Sequence, residues 1–228
     1  MTPSILIIGA SGRTGLEIIR SAAHHPTRPA LHALVRTPSK LPQTESKLCS
    51  SVIKGNATST QDIIRALTAS SADTVVIAIG AADTRPSDIR EKSAEALVSV
   101  VKPGSKFEHV RIVCMSSDGA GDSKIKIGLG FGKVLTHYLR HVLDDHNRQE
   151  AALKKGLGSD EGQQKRLLIV RPTGLTSGKA RGRVMLSGSA EGPSRVDRGD
   201  VAKWIVDEVC GKGSHFGSAV GMTQAAKN

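Results

Sequence analysis

Aromatic residues are scarce in this sequence, which has three Phe, one Trp and one Tyr among 228 residues. Proteins that bind single-stranded nucleic acid usually stack the bases on aromatic side chains, so this composition argues against such a function. Hydrophobic residues nevertheless make up 38% of the chain, and nearly all of them are aliphatic. Ile, Val, Leu and Ala are the residues from which buried parallel strands are built, so the composition suits an α/β protein.

Cysteine is also scarce, and long apolar runs are missing. Cys49, Cys114 and Cys210 are far apart and odd in number, so they predict neither a metal site nor a set of disulfide bonds. Reduced thiols of this kind favour a cytoplasmic protein. No apolar run approaches the roughly 18 residues that a membrane-spanning helix needs, and the sequence therefore predicts no membrane partner.

The charge is unbalanced but dispersed: there are 32 Lys and Arg residues against 21 Asp and Glu residues, a formal net charge of +11. Because there is no long basic run, the pattern does not predict nucleic-acid binding. Two interpretations stay open. The positive charge is either a general property of the surface or a field that attracts anions, such as a nucleotide cofactor or an acidic substrate.

Short β-branched segments alternate with longer helical ones along the chain. The predicted strands are Ile5–Ile8, Leu31–Arg36, Val52–Lys54, Thr74–Ile79, Val110–Met115 and Leu167–Val170. The predicted helices are Thr14–Ser21, Gln61–Leu67, Asp88–Val101, Lys133–Lys154 and Asp200–Val209. This alternation predicts βαβ units and a mostly parallel, doubly wound α/β sheet of the Rossmann type. The length suits a single domain over residues 1–228.

The most informative motif is GASGRTG, which runs from Gly9 to Gly15 directly after the first predicted strand. In a dinucleotide-binding turn, the first glycine permits the tight turn and the second lets the pyrophosphate approach the backbone. The third lets the following helix pack closely on the strand, and the start of that helix adds unpaired N–H groups and partial positive charge. We therefore predict that this turn binds the pyrophosphate of a dinucleotide, with an ordinary glycine-rich turn as the alternative.

The second predicted strand ends at Arg36, where NAD-binding proteins usually carry an Asp or Glu that binds the ribose. A guanidinium at this position suits the 2′-phosphate of NADP, because it can donate two hydrogen bonds to one phosphate. Arg13, inside the glycine turn, and Lys40 are further candidates for the same phosphate. The sequence thus predicts NADP(H) as the cofactor, against the alternative that Arg36 is a solvated charge.

These features together resemble a known family. The chain resembles the atypical short-chain dehydrogenases/reductases with an NAD(P)-binding, NmrA-like Rossmann domain. The segments that carry the resemblance are GASGRTG, ALVR followed by TPSKL, VIKGNATSTQDIIRAL, DTVVIAIGA, RIVCMSS and LLIVRPTGL. The stretch LDDHNRQE, residues 143–150, looks like the biliverdin-IXβ/flavin reductase branch. The resemblance covers nearly the whole chain, and it implies a small C-terminal substrate region with NADPH as the usual cofactor.

The resemblance also implies a set of site residues. Asn56, in a Gly-Asn pair where the family often has Gly-Asp, would contact the adenine. Residues after the fourth strand would line the ribose, and those after the fifth and sixth strands would flank the nicotinamide. The predicted cofactor-binding residues are Gly9, Ser11, Gly12, Arg13, Thr14, Gly15, Arg36, Asn56, Ala78, Ile79, Gly80, Ser116, Ser117, Pro172 and Thr173.

One feature of the short-chain dehydrogenases is missing. These enzymes use a Tyr four residues before a Lys as a proton relay, but the single tyrosine here, Tyr138, is followed four residues later by Val142. The predicted catalytic residues are Ser116, His146 and Tyr138. His146 could donate a proton near neutral pH, with a surface or packing histidine as the alternative. Tyr138 is either a substrate contact or an amphipathic-helix residue.

The glycine-rich segment from Gly119 to Gly132 starts where Rossmann sheets bind ligands, and we predict that it forms a movable wall of the substrate site. The alternative is a surface excursion or a short extra strand, with the substrate nearer the segment from Arg181 to Arg195. The remaining acidic candidates are interpreted structurally. Asp145 and Glu150 are expected to be solvated charges on a helix. Asp118 is expected to be a turn residue, and Asp200 is expected to cap the last helix.

Three functions fit these patterns. The preferred one is an NADPH-dependent oxidoreductase that reduces a small conjugated or carbonyl-bearing molecule, acidic or aromatic in character, with secondary metabolism as one setting. The second is a non-catalytic NADP(H) sensor that resembles the NmrA-like regulators. The third is a non-redox isomerase or ring-opening enzyme on the same fold, with His146, Tyr138 or Asp118 as acid or base. Neither the substrate nor the oligomeric state can be predicted from the sequence.

Overall fold

The computed structural model describes residues 2–80, 85–123, 136–178, 180–187 and 195–225. Its strands are β1 (Ser4–Ile8), β2 (Ala30–Val35), β3 (Ser51–Lys54), β4 (Thr74–Ile77), β5 (Arg111–Met115), β6 (Leu167–Pro172), β7 (Gly174–Thr176), β8 (Val184–Ser187), β9 (Arg195–Asp197) and β10 (Ala219–Gln224). Its helices are α1 (Arg13–Ala23), α2 (Gln43–Ser46), α3 (Thr60–Ser70), α4 (Ile89–Val101), α5 (Arg140–Leu157), α6 (Glu161–Gln164) and α7 (Arg198–Cys210).

The main sheet has eight strands in the order β3-β2-β1-β4-β5-β6-β10-β8. All neighbouring pairs are parallel except β10 and β8, which are antiparallel. The strand order reverses between β1 and β4, as in other doubly wound sheets, and such sheets bind ligands outside the carboxyl ends of the strands at that point. The predicted Rossmann-type fold is therefore confirmed, and ligand-binding residues are expected in the segments directly after β1, β2, β4, β5 and β6.

Helices cover both faces of the sheet. On one face, α1 and α7 contribute buried residues such as Ile18 and Ile205. On the other face, α3, α4 and α5 contribute Ile63, Leu97 and Leu153. A strand that is covered on both sides has a continuous apolar sequence rather than an alternating one, which explains why the SILII segment of β1 is buried at every position after its first.

The C-terminal part of the chain differs from the sequence analysis. Six strands are predicted, and the structure has four more, β7 to β10. β7 and β9 have three residues each and form a separate two-stranded parallel sheet. β10 joins the main sheet between β6 and β8. The segment between α5 and β6 contains the short helix α6, and the predicted helix Lys133–Lys154 is described from residue 136 onward.

The cap of the last helix is also corrected. Asp197, not Asp200, is the N-cap of α7, and its carboxylate accepts a hydrogen bond from the backbone N–H of Gly199 at 2.9 Å. Asp200 lies in the first turn of α7 and accepts from the backbone N–H groups of Arg181 and Gly182 at 2.8 and 2.6 Å. Asp200 thus holds the segment before β8 against the start of α7.

Candidate functional site

The glycine turn lies at the carboxyl end of β1. Gly9 has a φ of +89°, and a Cβ at this position would lie 2.7 Å from the carbonyl oxygen of Ala78. A Cβ on Gly15 would lie 2.7 Å from the Cα of Ala10, so only glycine allows α1 to pack this closely on the turn. Gly12 is different, because its φ of −77° is ordinary and the residue is exposed. A Cβ at this position would lie 3.2 Å from the carbonyl oxygen of Gly9, a close contact that is less severe than those at Gly9 and Gly15.

The start of α1 is free to bind an anion. In the described part of the chain, no side chain caps this helix, whose N-cap is Gly12. Ser11 and Arg13 are exposed and Thr14 is half-buried. The N–H groups of the first turn are therefore available, and they face the carboxyl edge of the sheet together with the positive end of the helix dipole. Phosphate groups bind to helix N-termini for these two reasons.

Positive side chains also follow β2, the parallel neighbour of β1. Arg36 directly follows β2 and is exposed, and Lys40 ends a short 3-10 turn. Among the described residues, no carboxylate lies within 4.0 Å of the guanidinium group of Arg13 or Arg36. Their N–H groups are therefore not engaged in ion pairs within this part of the chain.

The Gly55-Asn56 pair follows β3 in a tight turn. The backbone N–H of Asn56 donates to Asp62 Oδ2 at 2.8 Å. Its side-chain oxygen accepts from the backbone N–H of Thr58 at 3.2 Å, which leaves the amide nitrogen to donate elsewhere. This is compatible with the predicted adenine contact, and the contact stays a prediction.

The remaining predicted cofactor residues follow β4, β5 and β6. Among the described residues, no atom would lie within 4 Å of a Cβ on Gly80, which follows β4. Ser116 is 5% exposed and directly follows β5. The Oγ1 atom of Thr173, after β6, is buried and has no hydrogen-bond partner among the described residues. The structure thus brings the predicted residues to one edge of the sheet, although their role in binding stays a prediction.

Ser116 is held by a buried ion pair that the sequence analysis missed. Its Oγ donates to Glu150 Oε1 at 2.6 Å. Glu150 is also bonded to Arg171, with Nε at 2.9 Å and Nη2 at 2.6 Å. Burial alone would lower the pKa of Arg171, but its hydrogen bonds to Glu150 and to Asp122 outweigh burial and raise it. The prediction that Glu150 is a solvated helix charge is therefore wrong.

The face of α5 that carries Glu150 is polar and buried. Asp145 is fully buried and pairs with Arg90 Nη1 at 3.0 Å, so the prediction of a solvated charge is wrong here too. The Nδ1 atom of His146 has no partner among the described residues. Gln149 is close to this imidazole but forms no hydrogen bond of normal geometry with it.

His146 is not suited to the predicted acid role. Burial, with a smaller contribution from the charge of Arg90, lowers the pKa of His146 to about 3. The imidazole is therefore neutral near neutral pH and carries no additional proton to donate. This disfavours the predicted acid role, and the part of His146 in turnover stays a prediction.

Three further predictions have different outcomes. Tyr138 is 67% exposed, and its role stays a prediction. The predicted movable wall is described only as far as Ser123, and its residues 124–132 lie outside the described ranges. Asp118 is buried and accepts from Ser123 Oγ at 2.5 Å, which fits the predicted turn role. Cys114 lies in the core.

Comparison with known proteins assigns the family. The chain belongs to the NAD(P)H-binding family, whose model matches residues 9–210. This confirms the resemblance on which the sequence analysis relied. A search among curated proteins found no match.

Several solved structures share the fold. A short-chain dehydrogenase/reductase from Veillonella parvula, solved in complex with NADP, is 16% identical with a TM-score of 0.74, covering 99% of this chain and 96% of its own. The anaerobillin reductase ChuY from Escherichia coli O157:H7 is 18% identical with a TM-score of 0.71 and 98% coverage of both chains. A Streptococcus pneumoniae protein assigned as an NADH-flavin reductase is 18% identical with a TM-score of 0.69, covering 97% and 99%.

The fold and family together define an NAD(P)-binding domain with a Rossmann-type sheet. The open glycine turn, the uncapped start of α1 and the nearby cationic side chains fit a dinucleotide with its diphosphate at residues 9–15. Within the described ranges, no helix is long and apolar enough to cross a membrane.

Proposed function

We propose that this protein is an NADPH-dependent oxidoreductase that reduces a small organic molecule. The observation that carries the proposal is the pair of exposed guanidinium groups, Arg13 and Arg36, beside the glycine turn. At the end of β2, where NAD-binding proteins use a carboxylate, this chain has Arg36. The 2′-phosphate of NADPH is negatively charged and can pair with this guanidinium, whereas NADH has no charged group there.

The residues proposed to bind the cofactor are the predicted set at the carboxyl edge. The backbone of residues 9–15 would hold the diphosphate, Arg36 the 2′-phosphate and Asn56 the adenine. Ser116, Ser117, Pro172 and Thr173 would border the nicotinamide. When bound, the cofactor supplies the hydride, and the protein contributes orientation and a suitable electrostatic environment.

The geometry around Ser116 favours an acceptor that needs little acid catalysis. The Ser116 hydroxyl donates its proton to Glu150, so towards a ligand its oxygen acts as a hydrogen-bond acceptor. His146 is neutral, and the Tyr-x-x-x-Lys relay is absent from the sequence. We therefore expect water to supply the proton. A conjugated substrate whose reduced form is stabilised by delocalisation fits this site, and the fold relatives named for flavin and anaerobillin reduction support that class.

The decisive experiment combines binding with turnover. NADPH and NADH are titrated into the wild-type protein and into Arg36→Ala by fluorescence or calorimetry. Loss of one charge-assisted contact costs about 1.5–3 kcal/mol, which is about a 10- to 100-fold loss of NADPH affinity. NADH affinity should hardly change, and equal losses for both cofactors would reject this role of Arg36.

Turnover is then followed as NADPH oxidation against a panel of quinones, flavins and linear tetrapyrroles. Oxidation that depends on the acceptor supports the reductase. Tight NADPH binding without turnover on any acceptor supports the sensor instead, and conversion of a substrate without cofactor supports a non-redox enzyme. Arg28→Ala is the control for the loss of one positive charge in Arg36→Ala. Arg28 is exposed and lies before β2, at the opposite edge of the sheet.

A further inference from the structure

Helix α7 begins beside the start of α1. The two helices share an apolar contact on one face of the sheet, with Ile18 from α1 and Ile205 from α7. A Cβ on Gly199, in the first turn of α7, would lie 3.7 Å from Oε2 of Glu17 in α1. Because α1 follows the parallel strand β1 and α7 precedes the parallel strand β10, both helices start at the ligand-binding edge. Two helix N-termini therefore face this edge side by side.

Arg198, the first residue of α7, is buried there without an ion pair. The residue is 8% exposed, and its Nη1 donates to Ser177 Oγ at 2.8 Å. Among the described residues, no carboxylate oxygen lies within 4.0 Å of its guanidinium group. The neighbouring Asp197 carboxylate is occupied by the backbone N–H groups of Gly178 and Gly199.

The surroundings of Arg198 disfavour its positive charge. Burial lowers the pKa of Arg198, and the positive charge of Arg13 adds to that effect. The carboxylates of Asp197 and Glu17 act in the opposite direction but compensate only in part. Asp197 is occupied by backbone N–H groups, and Glu17 is paired with Arg20 at 2.6 Å. Burying a cation near a second cation costs free energy unless an anion compensates. The start of α1, next to Arg13, is where the diphosphate of a dinucleotide is expected.

We propose that Arg198 binds the diphosphate of the dinucleotide from the α7 side. This inference rests on the proposed function. In the sheet, β2 lies on one side of β1, whereas β6 and β10 lie on the other. Arg36, after β2, therefore approaches the adenosine half, and Arg198, between β9 and β10, approaches the nicotinamide half. The diphosphate is common to NADPH and NADH, so Arg198 is a contact for both cofactors, whereas Arg36 is a contact for NADPH alone.

The test compares three variants with the same change of charge. NADPH and NADH are titrated by calorimetry into the wild type, Arg198→Gln, Arg36→Gln and the control Arg28→Gln. We expect Arg198→Gln to weaken both cofactors by a similar factor, about 10- to 100-fold. Arg36→Gln should weaken NADPH alone, and Arg28→Gln should weaken neither. If a folded Arg198→Gln binds both cofactors as the wild type does, or loses NADPH affinity alone, the proposal is overturned.

Thermal unfolding without cofactor gives a second, independent measurement. A residue kept for packing destabilises the protein when it is replaced, whereas removal of an uncompensated buried charge leaves the melting temperature unchanged or raises it. We expect the second result for Arg198→Gln, and a clear fall in the melting temperature would contradict the proposal. If Arg198→Gln does not fold, Arg198→Lys takes its place, with an expected loss of about three- to tenfold for both cofactors. Unchanged affinities in that variant would overturn the proposal.

The result is distinguishable from failure of the proposed function. A wild-type protein that binds neither NADPH nor NADH contradicts the cofactor assignment as a whole. A wild type that binds both, together with an Arg198→Gln variant that also binds both normally, contradicts the role of Arg198 and leaves the cofactor assignment intact.

Discussion

The ion pair between Glu150 and Arg171 links stability to the candidate site, and Glu150→Gln tests it. Both side chains are almost completely buried, with exposed fractions of 3% and 4%. The substitution keeps the size of the side chain and an oxygen that can accept from Ser116, but it removes the negative charge. Arg171 then keeps only its contact with Asp122, whose side chain is 90% exposed. A carboxylate in water screens a buried guanidinium poorly.

The expected magnitude can be worked out from this geometry. Removing one partner of a buried pair usually costs about 3–5 kcal/mol, because the other charge stays buried without compensation. Since Asp122 keeps part of the compensation and glutamine keeps part of the hydrogen bonding, we expect a value near the lower end, about 3 kcal/mol. Each single variant leaves one buried charge without its partner, whereas the double variant Glu150→Met/Arg171→Met removes both charges. The double variant should therefore lose much less free energy of unfolding than the sum of the single variants.

The assay is urea unfolding at constant pH, with the free energy of unfolding extrapolated to water. Glu91→Gln is the matched control. It breaks the pair between Glu91 and Arg148 at 2.6 Å, whose side chains are 30% and 43% exposed, and such pairs contribute about 0–1 kcal/mol. If Glu150→Gln loses no more than Glu91→Gln, the buried pair does not stabilise the fold as argued.

Three further predictions concern single residues. Gly12→Val should fold, because its φ is ordinary and the close contact of 3.2 Å between a Cβ and the Gly9 carbonyl oxygen needs only a small shift of the turn, but it should lose NADPH binding; calorimetry that shows wild-type affinity would reject the cofactor site. The pKa of His146 is lowered in the folded state, so below about pH 6.5 the unfolded state binds more protons than the folded state. As the pH falls from about 6.5 towards 3, His146 therefore lowers the free energy of unfolding by up to about 1.4 kcal/mol per pH unit. Urea unfolding between these pH values should therefore give a flatter profile for His146→Asn than for the wild type, and parallel profiles would count against the buried neutral imidazole. Asp197→Ala removes the cap of α7 and should cost about 1–2 kcal/mol in the same assay, an expectation that unchanged stability would contradict.

The N-terminal half of the fold could be predicted because its signals are local. Each βα unit there has an apolar strand, a turn and a helix close together in sequence, and the GASGRTG turn has glycines at Gly9 and Gly15, where the structure has no room for a side chain. The strands β7 and β9 could not be predicted in the same way. They have three residues each, too few for a periodic pattern, and they pair across about twenty residues of intervening chain.

The buried charges were missed for a related reason. Asp145 and Glu150 lie on a helix with many polar residues, and their partners Arg90 and Arg171 are 55 and 21 residues away in the sequence. A signal was present nevertheless. Arg171 stands inside the otherwise apolar strand LLIVRP, and an arginine in a central strand needs a buried anion. Searching the polar face of α5 for that anion would have identified Glu150.

The same pair of charges limits the chemistry that the site can perform. Glu150 is fixed by Arg171 and accepts the hydrogen bond of the Ser116 hydroxyl. Ser116 can therefore orient a ligand by accepting a hydrogen bond but cannot easily protonate it. His146 lies one helical turn before Glu150 and is neutral. The short-chain dehydrogenases have a tyrosine and a lysine that supply a proton. This helix instead has Glu150, which is engaged by Ser116 and Arg171, and the neutral His146. A site built in this way suits hydride transfer to a conjugated acceptor whose negative charge is delocalised, and it is poorly suited to the reduction of an isolated ketone, which needs a proton donor at the oxygen. Comparing a quinone or flavin with a simple aliphatic ketone therefore tests this argument directly: faster turnover of the ketone would show that a proton donor acts in the site after all.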